Sequence, residues 1–274
     1  MNEPRLDSWN DGAPPPAPPE RPSSPGAVIA IAVVLALGIG AGAWYWLGRD
    51  RPEPAPAVGA PAPEPAPSAA APAAPALELP PLNASDALLR EVAGRLSAHP
   101  RWIAWLAHEN LARRFVASVI NVAEGVSPAG QLRFLTPAEP FRVRGSGGRT
   151  VIDAASYHRF DTLTEVFDSL DEPGVAELYR QLHPLFDEAY REVGDPERDF
   201  DQTLALAIGN LLRVQVPDRP IEVVAGGASW QLADRDLESW NTAEKHLLRL
   251  GPDNARRVQA KLRALAGAIG VRPI

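Results

Sequence analysis

The chain has 274 residues, a formal net charge of −7 at pH 7 and no cysteine. The acidic balance argues against a nucleic-acid partner, which calls for a basic excess or stripe, and without cysteine there is no disulfide, thiolate ligand or cysteine nucleophile. Of the 30 prolines, 17 lie before residue 77, so the core has to come from the remaining part, which is long enough for one sizeable domain.

Residues 1–26 are polar and proline-rich and read as a disordered tail. Residues Ala27 to Leu47 follow as an uncharged run, AVIAIAVVLALGIGAGAWYWL, long enough at about 1.5 Å per residue to cross a bilayer as one helix. Trp44, Tyr45 and Trp46 resemble an interfacial belt, and no A-x-A site follows, which favours an anchor over a cleaved signal. The flanking arginines nearly tie. A short tail before one span and a large domain after it suits an uncleaved signal anchor, with the C-terminal domain outside the cytoplasm. Gly38 and Gly42 form a GxxxG, a weak helix-association motif. Residues 48–76 are almost all Pro, Ala and Glu, a semi-rigid spacer that in polyproline geometry reaches on the order of 90 Å.

From residue 77 to 274 the pattern is helical. Ser85 is placed to cap a helix carrying Leu88, Leu89, Val92 and Leu96. Trp102, Trp105 and Leu106 lead into Leu111, Phe115, Val119 and Ile120, ending near Gly125. One helix is expected over Tyr157, Phe160, Leu163, Phe167 and Leu170, and another over Val175 to Ala189 with Pro184 inside it. Phe200, Leu204, Ile208 and Leu211 mark the next, then Leu237, Trp240 and Leu247, and last Val258, Leu262 and Leu265, opened by Gly251 and Pro252. Strands are expected at Phe141 to Arg144, and at Ile221 to Val224 and Ser229 to Leu232 as a hairpin across Gly226 and Gly227. The fold class is therefore mainly α: one N-terminal transmembrane helix, a Pro/Ala-rich linker, and a compact multi-helix domain with a minor β-hairpin.

Three stretches carry a family resemblance: LPPLNASD from Leu79 to Asp86, YRQLHPLFDEAY from Tyr179 to Tyr190, and LLRLGPDNARRVQAKL from Leu247 to Leu262. They resemble the proteobacterial group called domain of unknown function 3014. The resemblance implies a membrane-anchored protein of the bacterial inner membrane with these domain limits. It brings no catalytic or binding residue with it.

The chemistry-bearing motifs are sparse. GDPERDFD alternates Asp195, Glu197, Asp199 and Asp201 like the start of a calcium loop, but Phe200 stands where glycine is needed and Leu206 where a bidentate glutamate belongs. A helix entrance capped by Asp199 is the better reading. The histidines His99, His108, His158, His183 and His246 lack HExxH spacing, so no metal site and no cofactor is expected. RGSGGRT, from Arg144 to Thr150, lacks the ending of a phosphate loop and reads as a flexible turn. Arg256, Arg257, Lys261 and Arg263 make the last helix basic, a solvated face before it is a contact for anionic lipid or wall polymer. The candidate binding residues are Tyr179, His183 and Tyr190, which share one helix face beside the proline at 184. The function expected is a membrane-tethered periplasmic binding or scaffold module whose partner is an envelope protein or wall polymer. Two rivals stand beside it: an envelope enzyme built near His183 and Asp195 to Asp201, and a structural subunit associating through its membrane helix.

Overall fold

The computed structural model describes residues 77–227 and 229–274. The expected tail, the membrane span at 27–47 with Gly38 and Gly42, and the linker at 48–76 lie outside the described residues. Among the described residues, no helix is long and apolar enough to cross a membrane.

Ten helices are described: α1 (Asp86–Ala93), α2 (Pro100–Leu106), α3 (Leu111–Ala123), α4 (Ala154–His158), α5 (Asp161–Asp168), α6 (Glu172–Val193), α7 (Phe200–Leu212), α8 (Arg235–Ser239), α9 (Thr242–Arg249) and α10 (Pro252–Ile269). Two antiparallel hairpins interrupt them, β1 (Val143–Ser146) with β2 (Arg149–Ile152) and β3 (Val223–Gly226) with β4 (Ser229–Leu232). A bridge between Val151 and Glu222 and the bond from Ile152 N–H to Ile221 C=O join the hairpins edge to edge.

Helix α6 runs through the middle, packed on α3 and α10, while α7 packs on α3 and α10. Apolar residues at three- to four-residue spacing make this arrangement possible, because each helix buries one stripe. At the centre Phe115, Phe186 and Phe200 meet with ring centroids 4.6 to 5.7 Å apart, all fully buried. The hairpins build a second, smaller cluster from Ile152, Ile221, Val223, Leu232, Leu237 and Leu248. Trp240 packs against both clusters and marks their boundary.

Several expectations are refined. Ser85 precedes α1 but does not cap it with its side chain; its hydroxyl donates back to the Leu82 carbonyl at 2.8 Å. The segment expected as one helix from Tyr157 to Leu170 is divided into α4 and α5, and that from Leu237 to Leu247 into α8 and α9. The second division has a capping reason: Asn241 and Glu244 form a reciprocal capping box that starts α9 afresh. RGSGGRT is a hairpin tip and not a loose turn, with Gly147 at φ 57° and Gly148 at φ 76°, conformations that glycine adopts without strain. The first strand accordingly sits two residues later than expected, at Val143–Ser146. Pro184 stays inside α6, which continues past it although the carbonyl of Arg180 loses its usual donor.

Candidate functional site

The sequence-nominated residues come together only in part. Tyr179 and His183, one turn apart on α6, both reach Asp201 in the first turn of α7: the Tyr179 hydroxyl donates to Asp201 Oδ1, and His183 Nε2 lies 3.1 Å from the same oxygen. His183 Nδ1 faces Asp187 Oδ2 at 3.0 Å. Burial, reinforced by the bond to the Asp201 carboxylate, pushes the Tyr179 phenol far above its ordinary value, so it stays a donor. Tyr190 stands three turns from Tyr179 and has a different partner. Thr203 donates to the Asp199 carbonyl at 3.0 Å, which leaves its oxygen to accept from the Tyr190 hydroxyl at 2.7 Å. All three side chains thus tie α6 to α7.

The acidic segment serves the same junction. Asp199 accepts from Gln202 N–H at 2.7 Å and closes a capping box with the Gln202 side chain, as the spacing predicts for a helix entrance. Asp195 accepts from Glu197 N–H and pairs with Arg198. Among the described residues no group of three or more His, Asp or Glu side chains is placed to hold a metal ion. The basic stripe on α10 is also largely engaged: Arg256 meets Asp218, Arg257 meets Asp168 at 2.7 Å, and the buried Lys261 ammonium meets Glu172 and the carbonyls of Asp168 and Leu170. That ammonium holds the Glu172 carboxyl below its usual range.

A cleft of about 630 Å³ opens elsewhere, where the two hydrophobic clusters meet. One wall is the irregular segment after α7, Arg213 to Arg219; the other is α8 and the start of α9, with Asp236, Leu237, Trp240 and Glu244. The first wall is fixed from behind by a buried amide: Gln259 Nε2 on α10 donates to the carbonyls of Leu211 and Val214, both at 2.9 Å. Arg256 grips the same segment through Asp218, and Arg219 pairs with Asp234 at 2.5 Å, holding that carboxyl below its usual range. Arg213 is tied to Asn210 and to the Ile274 carbonyl. On the second wall Glu238 is partly buried, which works against its charge, but Leu232 N–H and Lys245 outweigh that and keep the carboxyl below its ordinary value.

Against this braced background a few groups of the cleft are unengaged. The Gln215 N–H and C=O, the Val216 N–H, the Gln215 and Asp236 side chains and the Trp240 indole N–H make no hydrogen bond to a described residue, and neither do the Pro217 carbonyl or the main-chain groups of Asp218 and Arg219. A half-buried aromatic flanked by polar groups that remain open to a ligand is the usual composition of a binding site between packed units. Sequence reasoning missed this cleft because its walls lie some twenty residues apart with a hairpin between them. The available signals were Trp240 beside a helix start and the two prolines at 217 and 220.

The structure therefore defines a class: a helical body with a twin-hairpin lobe and a braced cleft at their boundary. Within it, residues 111–266 match the family described as protein of unknown function (DUF3014), and the chain belongs to that family. No curated protein and no solved structure matches the chain.

Proposed function

We propose that the chain is a membrane-tethered binding module of the bacterial cell envelope, and that the cleft between Arg213–Arg219 and Asp236–Glu244 holds its partner. The single observation that carries the reading is the set of unengaged recognition groups around Trp240, on a wall that Gln259 and Arg256 hold from behind. The uncharged run Ala27–Leu47 supports the anchor, and the proline-rich stretch after it supports a site working away from the bilayer face. In this reading the C-terminal domain works on the periplasmic side of the membrane. The partner is an envelope protein or wall polymer.

A photo-crosslinking residue at Gln215 of the full chain, in its own membranes, should trap a discrete partner that a probe at Glu197, near the far end of α7, does not. Equal labelling from both positions would sink the cleft as the site. Reporter fusions at the C-terminus test the topology; activity of a cytoplasm-only reporter would overturn the periplasmic placement. One observation favours a second reading, an envelope enzyme: His183 and Asp201 are in contact, as an acid–base pair requires. Loss of function in a stably folded Asp201→Asn variant that still captures its partner would favour it.

A further inference from the structure

The cleft's open groups have a common geometry. Val216 precedes Pro217, and Arg219 precedes Pro220; a following proline excludes the helical region and holds the residue before it extended. At its start the segment turns Val214 inward, buried, and Gln215 outward, exposed, before Val216 and Pro217, both half-buried. The inward carbonyl of Val214 is taken by Gln259 and that of Val216 faces Arg256 at 3.5 Å. The N–H and C=O of Gln215, by contrast, have no acceptor or donor among the described residues. A residue with both main-chain groups free, in an extended segment pinned on its other side, is one rung of an unfilled β-ladder.

We infer that the cleft takes an extended peptide segment of a partner protein, which pairs its main chain with Gln215 and lays one side chain against Trp240. This rests on the cleft reading above and names its ligand. Main-chain pairing supplies affinity without sequence demands, and alternate side chains facing a pocket supply choice. Here the pocket offers the Trp240 ring and, beside it, the Asp236 carboxylate, which has no ion-pair partner among the described residues. The preferred peptide therefore carries an apolar residue and, two positions along on the same face, a lysine or arginine. A sugar polymer would use the Trp240 face and the Asp236 carboxylate but would have no use for a free N–H and C=O spaced for a strand.

The test uses the full chain, purified and immobilised, against a display library of random decapeptides. Enriched sequences are then synthesised with single N-methyl groups walked along the backbone. Binding should fall at least tenfold when methyl groups sit at alternate positions and hold at the intervening ones, and Gln215→Pro should lose the same peptides while unfolding at the temperature of the parent. Asp236→Lys should shift the selected charge from basic to acidic. Peptides that bind in a Trp240-dependent way but tolerate methylation everywhere would overturn the main-chain pairing and leave the cleft standing. No enrichment above a bare-surface control would overturn the peptide assignment. Failure of the cleft itself is read separately, from the crosslinking at Gln215, which assumes nothing about the ligand.

Discussion

His246 shows how one side chain couples the core to pH. It lies on α9 at 8 % exposure, its Nδ1 3.0 Å from Ser127 Oγ, and the Ser127 oxygen in turn accepts from Ala129 N–H. The hydroxyl and the ring nitrogen thus share one hydrogen bond that a neutral imidazole can make. Burial, with the Arg249 guanidinium nearby, drives the imidazole from 6.5 down to about 3. Between those values the unfolded chain holds the additional proton, so stability rises with pH; the contribution is complete above 6.5 and is lost as pH falls toward 3. Replacing His246 with glutamine removes the titration. Urea unfolding of both proteins should show the difference in stability moving toward the variant by on the order of 2 kcal/mol between pH 7 and pH 4.5. Parallel pH profiles would show that the ring is not held neutral. At the other polar cluster the expectation is mild: Tyr179→Phe leaves Asp201 half-exposed and free to hydrate, so stability should fall by only about 0.5–1.5 kcal/mol in thermal unfolding, with partner capture unchanged. Lost capture at full stability would make the Tyr179–His183–Asp201 cluster the site instead of the cleft.

Among the elements, the helix ends carry more information than the helix bodies. Buried amides stop two of them: Asn210 Nδ2 donates to the carbonyls of Val122 and Ala123 at the end of α3, and Gln259 closes α7. Gln259→Leu keeps the volume but strands two carbonyls, a loss of about 1–3 kcal/mol for unsatisfied buried groups. Because one of those carbonyls belongs to Val214, hydrogen exchange should rise over residues 213–219 more than over α6. Uniform change across the chain would mean that Gln259 does not brace the cleft wall. These ends also mark what the sequence makes legible. The long bodies of α6, α7 and α10 follow from apolar spacing, and Asp199 from its place before Phe200. Asn241 and Glu244 have capping-box spacing too, but the helical spacing of Leu237, Trp240 and Leu247 hides the break that they make. The β2 strand was obscured because the glycines of RGSGGRT suggest looseness, whereas flanked by Val143 and by Val151 and Ile152 they make a hairpin tip. Tyr179 and His183 are legible as neighbours because one helix carries them; the cleft is not, since no periodicity links Gln215 to Trp240.

For the whole molecule, the family match and the folded body have different limits. The match begins at Leu111, yet the preceding residues are built into the same core: Leu89, Trp102 and Leu106 are at most 1 % exposed, and Leu82 and Leu96 are buried beside them. Polar contacts reinforce the join. The Asp86 carboxylate accepts from the N–H groups of Asn110 and Leu111 at 2.7 and 2.9 Å, supplying from α1 the cap that α3 lacks in its own Asn110 side chain. Arg90 donates to the carbonyls of Leu106 and His108, both at 3.0 Å, closing α2. Each large apolar side chain in that segment is worth roughly 1.5–3 kcal/mol when buried, and five of them rival the whole net stability of a domain, about 5–15 kcal/mol. A chain truncated to begin at Leu111 should therefore fail to unfold cooperatively and should bind a hydrophobic dye at neutral pH. One beginning at Leu77 should give a single sharp transition by calorimetry. A cooperative transition of similar midpoint from the shorter chain would show that α1 and α2 are an appendage, and that the matched region holds its fold without them.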